Sequence, residues 1–147
     1  MNQTLGNPDC LREILARVDR LTPENPGKWG TMTPHQMVCH VMDSLEVALG
    51  ERTAEDRSSW VSRHVGKWLV LGIGIPVPRG RIRTVPEMLV TRPGDWAADL
   101  SGLTSRLKRV AAGEAGRPHP TFGALAPDEW ASLVALHLDH HLRQFGC

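Results

Sequence analysis

Two histidines four residues apart, His137 and His141, sit in a segment whose other residues read as an amphipathic helix. At 100° per residue, Trp130, Leu133, Val134, His137, His141 and Phe145 share one stripe, and Asp128, Ser132, Asp139 and Arg143 fall opposite. Such a pair stands about 5–6 Å apart at Cβ on one face, close enough for two imidazoles to share a cation. Without a cation, two imidazoles on an apolar stripe each need a hydrogen-bond partner or cost free energy. They are therefore either metal ligands or core histidines satisfied by neighbouring polar groups. A helical pair supplies only two ligands. His35, His40, His64 and His119 are the candidates for a third.

His40 has the best context, on a well-formed helical stretch among Met37, Val41, Ser44 and Val47. The wheel places it at a margin, between an apolar side (Val38, Val41, Leu45, Ala48) and a polar wedge (His35, Gln36, Asp43, Glu46). Periodicity alone makes it a half-exposed surface histidine. Asp43 lies about 60° away on the same wheel and is a candidate base at the pocket edge. The competing readings of Asp43 are a surface carboxylate or a hydrogen-bond partner that orients a ligand. Asp139, opposite His137 and His141, reads as solvated. His119, before Pro120 in a loop, is a candidate fourth ligand or proton shuttle, with loop anchor as the default. Cys39 is turned about 100° from His40 and reads as a buried thiol. Trp29 and Trp130 read as core or pocket lining. No His-Glu-x-x-His motif is present, so a zincin protease is not supported.

Four segments supply the helices that must position these residues. Asn7-Pro8 opens the first, with Leu11, Ile14, Leu15, Val18 and Leu21 at helical spacing. Thr33-Pro34-His35-Gln36 opens the second as a capping box, and Gly50 ends it. A third runs from near Asp95 to about Ala112, and the last from Pro127 to about Phe145. Trp60 to Leu71 has a helical face of Trp60, His64, Trp68 and Leu71. Pro76 to Arg83 reads as an extended loop in which Arg79, Arg81 and Arg83 form a small basic cluster. No strand or repeat stands out. The fold class is all-α, one domain over residues 1–147, of antiparallel helices.

Composition narrows the function. A net charge of +1 gives no case for nucleic acid or an anionic membrane surface. Cys10, Cys39 and Cys147 have no paired spacing, which favours a reducing cytoplasm over a disulfide scaffold. Met1 to Asp9 is polar, so no signal peptide is expected. The longest apolar run, Trp68 to Pro78, is broken by Gly72, Gly74 and Pro76, and no membrane span is expected.

Gln36-Met-Val-Cys-His40-Val-Met-Asp43-Ser44, followed by His137-Leu-Asp-His-His141-Leu-Arg-Gln144, resembles the DinB/YfiT-like superfamily, and most closely a subgroup of uncharacterised function. Leu21 to Gly30, His119 to Gly123 and Glu129 to Gly146 share the likeness, and residues 52–93 match less clearly. The resemblance implies an up-down four-helix bundle with an extra short helix and a long irregular connection. It implies a divalent metal (zinc, nickel, iron or manganese) on His40, His137 and His141, with Gln144 as an outer partner, and often a homodimer. Where such families have known activity, it includes metal-dependent transfer of low-molecular-weight thiols to electrophiles, and a hydrolase role has been suggested. Three imidazoles leave a divalent ion a position for water or substrate. The expectation is a metal-dependent transferase or hydrolase of small molecules. The alternative is a non-catalytic metal-binding or dimerisation module.

Overall fold

In a computed structural model, residues 3–75 and 84–147 are described; the basic cluster at 79–83 lies outside them. Four α-helices carry the core: α1 (Pro8–Asp19), α2 (Pro34–Leu49), α3 (Trp96–Ala111) and α4 (Pro127–Gln144). Between α2 and α3 lie two π-helical stretches, Ser62–Gly66 and Trp68–Ile73, and a 3₁₀ turn, Pro86–Met88. The described residues contain no strand, only an isolated bridge between His119 and Gly123. None of the described helices is long and apolar enough to cross a membrane.

The helix ends follow from local chemistry. Asn7 Oδ1 accepts from the Asp9 and Cys10 amides, and Asp95 Oδ1 from Ala98. Thr33 and Gln36 exchange hydrogen bonds in a capping box. Gly50 takes φ +79°, the left-handed conformation that ends α2 without a Cβ clash. α4 begins on Ala126, which has no capping oxygen; Glu129 instead accepts from the Ala126 amide.

α2 packs on α3 and α4, and α1 packs on α3 and α4. Val38, Val41, Leu45, Leu103, Leu107, Val134, Leu138 and Leu142 are buried between them. A partly buried ionic contact clamps α1 to α4: Arg17 donates to Asp139 at 2.7 Å and to the Cys147 carbonyl at 3.1 Å. Asp139 is therefore not solvated as its wheel position suggests. α1 covers that side of α4 and supplies the partner. The π-helical region keeps the expected helical character but not a buried face. Trp60 and Trp68 are 70% and 60% exposed.

Candidate metal centre

The structure brings His40, from the middle of α2, against His137 and His141 on α4. The Nε2 atoms of His40 and His137 are 3.0 Å apart, and those of His141 and His137 3.1 Å. With metal–imidazole bonds of about 2.0–2.1 Å, two nitrogens at right to tetrahedral angles stand roughly 2.8–3.4 Å apart, so the spacing suits one shared cation.

Proton bookkeeping makes the case from the residues themselves. The Met88 carbonyl lies 2.8 Å from His40 Nδ1 and can only accept, so Nδ1 carries the hydrogen and His40 Nε2 presents a lone pair. Gln144 donates its amide nitrogen to the Trp29 carbonyl at 2.8 Å, which turns Oε1 toward His141 Nδ1 at 2.9 Å. His141 Nδ1 is thereby the donor, and its Nε2 also presents a lone pair. Both lone pairs face His137 Nε2. A single hydrogen there can satisfy one of them well, whereas a cation satisfies all three nitrogens. Outer partners that fix the tautomer in this way are the usual companions of ligating histidines.

Burial holds these rings neutral, the form a metal needs. Desolvation pushes His141 down to about 4 and His40 below its ordinary value, the latter partly offset by the Met88 carbonyl and Asp43. His137 lies well below the ordinary value, first through burial and then through its histidine neighbours.

The expectation that His40 is half-exposed fails: it is 4% exposed. The cause is the segment around the 3₁₀ turn, which lies over the polar wedge of α2. Asp43, read as a possible surface carboxylate, is fully buried and fastens that segment. Its Oδ2 accepts from the Val90 and Thr91 amides at 2.7 and 2.9 Å. Its Oδ1 accepts from the Thr91 hydroxyl and from Arg52 at 3.3 Å. The wall that Asp43 holds is the one that delivers the Met88 carbonyl to His40. Met88 acts through its backbone, so no side-chain pattern in the sequence announces it.

His119 is not among the rings whose ligand atoms converge. Its Nδ1 accepts from the Thr121 and Phe122 amides, and its ring packs on Trp130 with centroids 5.2 Å apart. Trp130 is buried and donates to the Arg117 carbonyl. Trp29 packs on His140 and lends its carbonyl to Gln144. At Gly30, φ is +75° and a Cβ would meet Gln144 Nε2 at 3.0 Å, so the loop's approach to Gln144 requires glycine.

A second group, His35, Cys39 and Asp99, also lies within reach of one point. Its members are already committed: Asp99 Oδ2 bonds His35 Nε2 at 2.7 Å and accepts the Gly94 amide at 3.1 Å. Burial, Asp99 and Asp43 raise the Cys39 thiol to about 11, so it stays protonated. This group ties α2 to α3.

Burial likewise pushes His119 down to about 4. Unfolded, His119 and His141 take up protons from about pH 6.5 downward; folded, they resist until about pH 4. The unfolded chain thus binds more protons across that window, and stability falls as pH falls through it. In chelator, urea unfolding is expected to show at least roughly 2 kcal/mol less stability at pH 5 than at pH 7. An unchanged midpoint would contradict the burial of neutral rings.

Residues 5–146 match the model of a family described as a protein of unknown function, DUF1569. The chain belongs to that family. No curated protein and no solved structure matches it. The match spans α1 to α4, so the whole histidine triad of this DUF1569 chain falls inside it. A cavity of about 370 Å³ opens beside the triad, lined by His40 together with Thr31, Gln36, Leu89, Thr91 and Arg92.

Proposed function

We propose that this DUF1569 chain is a metal-dependent enzyme acting on small molecules, with His40, His137 and His141 as the ligands of one divalent ion. The fold we propose with it is a single DinB/YfiT-like domain over 1–147, an up-down four-helix bundle. The observation that carries the reading is the pair of obligate lone pairs, on His40 and His141, that meet at His137. A divalent ion held there would lower the pKa of a coordinated thiol or water and supply a nucleophile near neutral pH.

The protein's own groups do the rest. Met88 and Gln144 orient the two outer rings, and Asp43 positions the wall that carries Met88. His119 shapes the loop before α4. The favoured reaction is transfer of a low-molecular-weight thiol to an electrophilic carbon, with hydrolysis as the alternative use of the same open position. A cytoplasmic homodimer completes the proposal; the exposed Trp60, Val61 and Trp68 support a partner surface and also the rival reading, a dimerisation module.

Protein purified without a histidine tag tests this. Elemental analysis is expected to find one divalent ion per chain, removable by chelator. Thiol conjugation to a chromogenic electrophile is expected to need that ion. Absence of metal after incubation with zinc, nickel, iron or manganese overturns the reading. Stoichiometric metal with neither turnover nor a spectral response to thiols favours the non-catalytic module.

A further inference from the structure

The cavity beside His40 has one charged side chain in its lining, Arg92. Several arginines elsewhere in the chain are engaged. Arg52 pairs with Asp43 and Glu46, Arg57 with Glu55 and Glu87, Arg106 with Glu46 and Glu51, and Arg109 with Glu51 and Glu114. Arg92 has no ion-pair or hydrogen-bond partner among the described residues. Its side chain is exposed, but its backbone is held in place. The two residues before it are bound through their amides to buried Asp43, and Pro93 after it keeps its backbone out of the helical region. Gln36 spends its Oε1 on the Thr33 amide, which leaves its NH₂ group to donate.

We propose that the substrate carries a carboxylate, bound by Arg92 at the cavity rim, while its reacting atom reaches the histidine triad. This rests on the triad being a metal site. The guanidinium fork matches a carboxylate with two parallel hydrogen bonds. A cavity of about 370 Å³ lies at the small end of ligand pockets and suits a compact acid. The only charge in the lining discriminates against substrates without an anionic group.

Cobalt-loaded protein allows the test without turnover. It would be titrated with ω-mercaptocarboxylates of two to five carbons and with the matching mercaptoalcohols. Each thiol releases its proton on coordination, and the sulfur-to-cobalt absorption band reports binding. At least one mercaptocarboxylate is expected to bind tenfold or more tighter than its alcohol. Arg92→Gln is expected to erase that preference and leave cobalt and mercaptoalcohol affinities unchanged. Arg92→Lys is expected to keep only part of it. Equal affinity of acid and alcohol throughout the series overturns the proposal, as does a preference that survives Arg92→Gln. Failure to take up cobalt overturns the metal reading and this proposal with it; cobalt uptake without an acid preference overturns the carboxylate anchor alone.

Discussion

His137→Ala is expected to abolish stoichiometric metal binding, weakening affinity by well over about 100-fold. Losing an outer partner of a ligand already costs about 10–100-fold, and His137 is the ring that both others face, at 3.0 and 3.1 Å. Competition with a chromogenic chelator reads the loss. A calorimetric scan separates it from misfolding. In wild-type protein, metal at 100 times its dissociation constant adds about 2.7 kcal/mol, a rise of roughly 5–11 °C at about 2–4 °C per kcal/mol. That rise should vanish in His137→Ala, whose melting temperature in chelator should stay near the wild-type value. A half-buried imidazole held well below its ordinary pKa is no asset to the metal-free fold. Collapse of the variant in chelator would instead make the triad a structural element. Retained metal would remove His137 from the ligand set.

The ends of the helices were readable because they depend on local chemistry. Asn7, Thr33 and Asp95 accept from amides within a few residues, Gly50 supplies a left-handed turn, and each stands at the helix boundary its type suggests. His137 and His141 were readable because α4 is amphipathic and both lie on its inner stripe. The misreadings share a physical cause. A helical wheel treats every polar face as facing water, yet two such faces are covered by other polar parts of the chain. Asp43 in the polar wedge of α2, and His40 at its margin, lie under the aperiodic segment around Met88. The outer face of α4 at Asp139 lies under Arg17 of α1. The contacts that cover these two faces are hydrogen bonds and charge, Asp43 with the 90–91 amides and Arg17 with Asp139, so hydrophobic patterning does not show which polar face is covered. Family resemblance located His40 where the wheel could not, because the resemblance reads residue types in order and not exposure.

Asp43 carries the second large effect. A carboxylate has about four lone-pair sites, and four donors claim them: two amides, the Thr91 hydroxyl and Arg52. Asp43→Ala leaves the two amides and the Thr91 hydroxyl without their acceptor and Arg52 with Glu46 alone. Hydrogen bonds to a charged group are worth about 1.5–3 kcal/mol each, so losing two or more costs about 3–6 kcal/mol, a drop in melting temperature of roughly 6–24 °C. Asp43→Asn keeps the shape: its Oδ1 can still accept from the two amides and its NH₂ can donate to the Thr91 hydroxyl, so only the contact with Arg52 and the charge are lost, and it should cost less, about 1–3 kcal/mol. Thr91→Val removes a single donor and should cost only about 1 kcal/mol. The same carboxylate anchors the wall carrying the Met88 carbonyl, so metal affinity in Asp43→Ala should fall by about 10–100-fold, measured well below its melting temperature. The two readouts separate the possible roles. Lower stability with intact metal affinity would make Asp43 an anchor for the wall alone. Unchanged stability with lost turnover would return it to the role of a base. Loss of both is the outcome expected of a residue that holds the segment which in turn holds His40.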